Sequence, residues 1–350
     1  MSKNLKTACV IGHFGFGLDL LNGQTVKTKI LSEELEKRFP DGILKIDTHG
    51  GIKSLIKAPF HVLKALKRCK NVIILPAHNG LRVYAPLLAL MRPLYKGRKL
   101  HYAVIGGWLA SFLENKKGLE KNLKKFDGVY VETSTMKNAL EAKGFENVLV
   151  MPNCKELKIL SPEELSTDYS EPYKLCTFSR VMKEKGIEDA VNAVKAVNEK
   201  AGRVVYSLDI YGQIDGGQTE WFESLKASFP EYIRYGGLVP FDKSVEVLKD
   251  YYALLFPTYY EGEGFAGTVI DAYAAALPVI SSDWKYNSEI VHDGETGLIF
   301  KVHDVDMLTE QLGCLLEDPG LVQQMRVNCL NEAKNYLPST AMKIIIEKMT

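Results

Sequence analysis

The feature that most constrains this chain is an alternation that occurs twice: short runs rich in β-branched residues are separated by longer stretches with apolar residues at helical spacing. Such alternation builds parallel sheets covered by crossover helices. In the first half the spacing predicts strands at Thr7–Gly12, Ile43–Asp47, Asn71–Leu75, Leu100–Ile105, Gly128–Glu132 and Asn147–Met151. Helices such as Gln24–Arg38, Leu81–Met91 and Met136–Lys143 fall between them. Polar, acidic and Pro-containing sequence from Asn153 to Pro172 interrupts the rhythm. It then resumes with strands at Tyr173–Ser179, Val204–Tyr211, Tyr232–Gly236, Ala253–Pro257 and Val279–Ser282, and helices at Ile187–Lys200, Thr219–Phe229, Lys243–Asp250 and Gly267–Ala276.

Two α/β cores are therefore expected, as befits 350 residues. The first domain takes residues 1–155, a linker 156–172, and the second domain 173–335. Residues 336–350 read as a terminal helix whose Met342, Ile345, Ile346 and Met349 share one face, so it must dock, and the first domain is its expected seat. Six scattered cysteines with no CxxC pair predict reduced, buried thiols rather than a metal site. Residues Met1 to Ile11 lack the apolar stretch of an export signal, and no later run approaches the roughly 20 residues of a membrane helix. A cytoplasmic location follows as the expectation, with peripheral contact at the inner face of the cell membrane.

The net charge of +1 conceals an asymmetry. Residues 1–150 carry 25 Lys and Arg against 12 Asp and Glu; residues 151–350 carry 19 against 31. A basic half attracts anionic lipid, nucleic acid or an anionic substrate, and charge alone does not choose among them.

Two motifs carry chemistry. In Glu261 to Pro278, EGEGFAGTVIDAYAAALP, a Gly-rich turn opens a helix. Backbone N–H groups at such a helix start favour a phosphate, while Glu263 and Asp271 can accept hydrogen bonds from the hydroxyls of a sugar and a ribose. The same residues also make an ordinary turn with a solvated Glu. In Ser179 to Gly186, SRVMKEKG, Arg180 and Lys185 follow the strand that opens the second domain, where open α/β sheets bind ligands. Taken alone, this too is common surface sequence.

These residues carry a resemblance. Arg180 with Lys185-Gly186, the Glu263 to Asp271 pair, Leu277-Pro278-Val279-Ile280, Glu289 and Asp293-Gly294-Glu295-Thr296-Gly297 stand in an order and spacing similar to retaining glycosyltransferases of family GT4. The likeness covers residues 173–300 well; over the first half it rests on Gly12 to Thr28 and Met151-Pro152-Asn153. It implies a GT-B fold, two Rossmann-like domains facing across a cleft, and an enzyme of the bacterial capsule, exopolysaccharide or O-antigen type. It further implies Arg180, Lys185 and Glu263 as catalytic residues, the two cations clamping the donor diphosphate and Glu263 holding the donor sugar. Gly264, Phe265, Ala266, Gly267 and Thr268 would surround sugar and diphosphate, Asp271 would hold the ribose, and the Tyr235 to Val239 loop would flank the base. No cofactor or metal is required; the donor is a UDP- or GDP-linked sugar. The sequence departs from the family at Asp271, where Glu is usual, at Ala276, where Gly is usual, and at Gly106-Gly107-Trp108, where a His is expected.

In the first half, Gly12 to Gly17 followed by Asp47 at the next strand end invites a dinucleotide-binding reading, but the spacing is GxxGxG and the helix starts late. Asn22-Gly23-Gln24-Thr25 suits a loop meeting the donor diphosphate, with Gly23 and Gln24 as donor-binding residues, or an ordinary helix cap. His13, His78 and Trp108, near strand ends, are acceptor-side candidates. Lys53, Lys57, Lys64, Lys67, Arg68 and Lys70 alternate with apolar residues between them, as in a basic surface lying on anionic lipid or a solvated helix. The leading expectation is a retaining glycosyltransferase acting on a lipid-linked glycan acceptor. The alternatives are a non-catalytic partner subunit of the same fold, which binds sugar nucleotide or glycan, and a nicotinamide-dependent oxidoreductase.

Overall fold

The computed structural model describes residues 5–18, 23–165 and 170–350. They form two compact units, one running to Glu156 and completed by Pro338–Thr350, the other Leu157–Leu337.

The first unit holds β1 (Lys6–Gly12), β2 (Leu44–Asp47), β3 (Cys69–Ile74), β4 (Lys99–Ala103), β5 (Gly128–Val131) and β6 (Val148–Val150). They pair in parallel in the order β2-β1-β3-β4-β5-β6. The order reverses between β1 and β3, so the loops after those strands diverge and leave a crevice at the carboxyl edge of the sheet. Its core joins Ala8, Val10 and Ile73 of the sheet to Leu31 and Leu35 of the helix Gly23–Arg38. Each such leucine, taken from water, contributes about 2 kcal/mol.

The same core takes in Met342, Ile345 and Met349, so the chain's end packs within the first unit. The sequence suggested one helix there, yet two form, Pro338–Ala341 and Lys343–Met349. Polar groups lock the second. Asn71 donates its amide to the carbonyls of Thr7 (3.0 Å) and Met349 (3.2 Å), and Lys99 donates to the Lys348 carbonyl (2.8 Å). The fully buried His101 bridges Asn71 Oδ1 and the Tyr130 hydroxyl at 3.1 and 3.0 Å.

The second unit holds β7 (Tyr173–Phe178), β8 (Tyr206–Tyr211), β9 (Ile233–Gly237), β10 (Ala253–Phe256), β11 (Val279–Ser282) and β12 (Gly297–Phe300), in the order β12-β11-β10-β7-β8-β9. Here the reversal falls between β7 and β10, which pair in parallel at Ala253 with Leu175 and Leu254 with Cys176. Two sequence expectations are corrected. Strand β12 was not foreseen, because its four residues follow directly on a turn motif. Tyr235 lies in β9 rather than in a loop, since pairing with β8 continues through a bulge to Tyr211 opposite Gly237; only Leu238 and Val239 remain in the loop. Five of the six cysteines are buried and all are free; no helix among the described residues is long and apolar enough to cross a membrane.

Burial holds His101 neutral, pushing its pKa down from the ordinary 6.5 to about 4. The unfolded chain therefore takes up that proton first as pH falls. The stabilisation is complete above about pH 6.5 and is lost as pH drops through about 4, in total about 3 kcal/mol. Urea unfolding should show the wild type's advantage over His101→Gln shrinking from pH 7 to pH 4; a pH-independent gap would refute the assignment.

Candidate functional site

Arg180 and Lys185 follow β7, and Glu263 follows β10. Because those strands are parallel neighbours, both loops emerge at one edge, on either side of the reversal point. The backbone there admits few alternatives. Gly186 caps the short 3-10 turn Lys183–Lys185 at φ +68°, and a Cβ on it would sit 2.0 Å from the Pro257 carbonyl oxygen. Lys185 is thereby held against the segment that follows β10.

Lys185 Nζ lies 2.5 Å from Glu263 Oε2, with both side chains about nine-tenths buried. The Thr258 hydroxyl stands 2.9 Å from the same oxygen, and the Lys185 ammonium sits 5.0 Å from the Tyr260 ring centroid. The amide of Glu263 donates to the Tyr260 carbonyl, closing a turn. Arg180 is set apart from this pair: its side chain is 58% exposed, with Nε 3.5 Å from Asp215 Oδ2. The structure therefore joins Lys185 to Glu263 but turns Arg180 towards the loop Gln213–Gln218, which Gln218 ties back by accepting from the Lys183 amide and donating to Glu184.

Gly264 to Thr268 lead into the helix Gly267–Ala274. Phe265 packs edge-on against Tyr336 in the core, and the Thr268 hydroxyl donates to the Phe178 carbonyl at the end of β7, which leaves backbone rather than side chains of this stretch for a ligand. Ala266 is buried. Asp271, also buried, accepts from the Ser244 hydroxyl at 3.0 Å, and Val239 is half-buried on the loop preceding that serine's helix. Ala276 adopts φ +54°, which explains why glycine suits this position; the alanine retains roughly 1 kcal/mol of strain while packing with Leu160 and Leu330.

The first unit's reversal point holds a second group of residues. His13 Nδ1 lies 2.7 Å from the Thr25 hydroxyl and its Nε2 3.0 Å from His49 Nδ1. Gln24 donates to the Leu75 carbonyl; Gly23 opens the helix, exposed, and Asn22 lies outside the described residues. His13, Gln24 and His78 share a pocket of about 420 Å³ with Ile52, Leu55 and Tyr84. His78 lies tilted against Trp108 with ring centroids 4.0 Å apart and meets Phe112 edge-on. Burial lowers the pKa of both His13 and His78, assisted by His49 at the first and by Arg82 and Lys116 at the second. Asp47 spends its carboxylate on the amides of Phe14, Phe16 and His49, bracing the glycine loop after β1. Sequence reasoning missed Thr258 and His49. Each stands two residues beyond a strand end, a position that signals proximity to a site.

Residues 164–336 match the family described as Glycosyl transferases group 1. The chain is 27% identical over 231 residues to the GtfA subunit of a UDP-N-acetylglucosamine–peptide N-acetylglucosaminyltransferase from Streptococcus gordonii, covering 62% of this chain and 44% of that one. It is 26% identical over 174 residues to the capsular polysaccharide biosynthesis glycosyltransferase CapM from Staphylococcus aureus, 49% of this chain and 43% of CapM. The matched stretches thus span less than half of these curated relatives. Among solved structures, Anabaena Alr3699/HepE in complex with UDP superposes with a TM-score of 0.75 at 13% identity, covering 98% of this chain and 99% of that one. The fold is GT-B. That family match takes in most of the second unit, including the site at the β7/β10 reversal.

If the Pro257 carbonyl forbids a side chain at Gly186, Gly186→Ala should cost well over the roughly 1–2 kcal/mol of a left-handed alanine. Gly202→Ala, at φ +66° in open space, should cost only that much. Comparison of urea midpoints checks this; equal losses would show that the close approach is not what requires glycine.

Proposed function

We propose that the chain is a retaining glycosyltransferase that moves a sugar from a UDP- or GDP-linked donor onto a glycan acceptor, lipid-linked, in cell-surface polysaccharide synthesis. The observation that carries this is the Lys185–Glu263 pair beside a glycine-lined helix start at the sheet's reversal point. In support, the family that residues 164–336 match is a transferase family, CapM is named for capsular polysaccharide, and HepE was solved with UDP.

On this reading the donor diphosphate draws Lys185 away from Glu263 and engages Arg180, while amides of Gly264 to Thr268 meet its oxygens. Glu263, released, accepts from a hydroxyl of the donor sugar, and Asp271 serves the ribose side. The anomeric C–O bond breaks with its electron pair passing to the phosphate oxygen, whose charge the two cations stabilise. The acceptor oxygen bonds to the same carbon from the same face, and its proton ends on the departing diphosphate. The reaction as proposed calls for no cofactor. His13, His78 and Trp108, around the first unit's pocket, serve the acceptor.

A thermal-shift series with UDP, GDP and their sugars tests the reading. One nucleoside diphosphate at a hundred times its Kd should stabilise the protein by roughly 2.7 kcal/mol. Lys185→Ala and Arg180→Ala should lose most of that. Glu263→Ala should keep the response to the diphosphate but lose the increment from its sugar, with turnover falling about 10²–10³-fold. Stabilisation by NAD alone, or undiminished nucleotide response in Lys185→Ala, would overturn the site.

A further inference from the structure

From Thr48 to Leu113 the chain has no Asp or Glu, although its average acid content would place about eight in those 66 residues. The same stretch holds eleven Lys and Arg. It folds into the helices Ile52–Ile56 and Ala58–Arg68, strand β3, the helix His78–Met91 and strand β4. Lys53, Lys57, Lys64, Lys67, Arg68 and Lys70 are all exposed, and none forms an ion pair among the described residues.

Large apolar side chains stand exposed among these cations. Ile52 is 77% exposed, Ile56 71% and Phe60 73%; Leu90 and Leu94 stand out likewise on and just beyond the helix His78–Met91, which packs against Ala58–Arg68. A surface for nucleic acid needs cations and hydrogen-bonding groups, and gains nothing from isoleucines held in water. Cations flanking protruding apolar side chains suit an anionic bilayer, where the rings and branched chains enter the acyl boundary while ammonium groups meet the headgroups.

We propose that the helices Ile52–Ile56 and Ala58–Arg68 form a docking surface for a bilayer bearing anionic lipid. The placement has a consequence for the acceptor. Ile52 and Leu55 also line the pocket of about 420 Å³ that holds His13, Gln24 and His78. One short helix is thus both the edge of the docking surface and a wall of the pocket, so a glycan carried on a membrane lipid reaches the pocket without leaving the bilayer. This consequence rests on the proposed transferase reading; the docking itself does not.

Vesicle co-sedimentation of the full chain tests it. The protein should pellet with phosphatidylcholine–phosphatidylglycerol vesicles, much less with pure phosphatidylcholine, and less as salt shortens the reach of the charges. The double variant Lys57→Glu/Lys64→Glu should weaken the apparent affinity about tenfold or more, and Ile56→Ser/Phe60→Ser by a similar factor. All four side chains are exposed, and an unchanged thermal midpoint and nucleotide response in these variants would show that fold and donor site persist. Three results would overturn the proposal: no binding to the anionic vesicles, binding that ignores lipid charge, or equally tight binding to RNA that Phe60→Ser leaves intact. Loss of nucleotide binding in Lys185→Ala with vesicle binding retained supports docking, and a failure of nucleotide binding in the wild type would strike the transferase reading alone.

Discussion

The parallel pairing of β7 with β10 is the contact on which the second unit's chemistry depends. It sets side by side two strand ends separated by some eighty residues of chain, and from those ends come Lys185 and Glu263. Everything nearby holds that junction. The Thr268 hydroxyl ties the helix after β10 to the last carbonyl of β7, the bare Gly186 lets the turn close on Pro257, and Thr258 steadies the carboxylate. A largely buried ion pair contributes little net stability against a packed apolar alternative, whereas removing one partner strands a charge at a cost of about 3–5 kcal/mol. Under the proposed function the pair is charge held in readiness rather than a fastening.

The first unit solves a similar problem with different groups. Its reversal point carries hydrogen-bonded side chains, His13 against Thr25 and His49, and an aromatic group of His78, Trp108 and Phe112. Where the loop that carries Trp108 leaves β4 lies the one buried pairing of opposite charges described in this unit, Lys27 with Glu132. Glu132 also accepts from the Gly106 amide, and Lys27 reaches the Val104 carbonyl. The loop that presents Trp108 is thus fixed at its start by groups that cannot move without exposing a charge to the core. A site of hydrogen-bonding side chains with aromatic faces has, in Ile52, Leu55 and Tyr84, an apolar side as well.

How much of this could be read from the chain follows from what is local. Strands such as β3 and β10, buried along nearly their whole length, announce themselves as β-branched or apolar runs, and the parallel α/β class follows from their alternation with helices. Strand β12 hides because Gly297–Phe300 is four residues against a turn, and β9 extends past its apolar core only because β8 offers it partners. Lys185 and Glu263 were legible as residue types at motif spacing. The distance between them was not, nor was the pairing of Arg180 with Asp215, since both depend on which strands neighbour one another. His49 and Thr258 escaped for the same reason: their partners are set by the sheet, not by sequence neighbours.

The uneven charge along the chain takes on physical meaning once the partners are known. At the carboxyl edge of the second sheet three cations already face carboxylates: Arg180 with Asp215, Lys185 with Glu263, Lys285 with Glu261. A ligand entering there must exchange one anionic partner for another, so its gain depends on fitting better than the resident carboxylate, and selectivity follows from geometry. In the first unit the exposed lysines of residues 53–70 face no carboxylate among the described residues and lie in an acid-free stretch. Their field extends outward for about a Debye length and favours any anionic surface without demanding a shape. Paired cations suit a defined small anion and unpaired ones an extended surface, so under the two proposals the basic excess of the first half and the acidic excess of the second would follow from one division of labour.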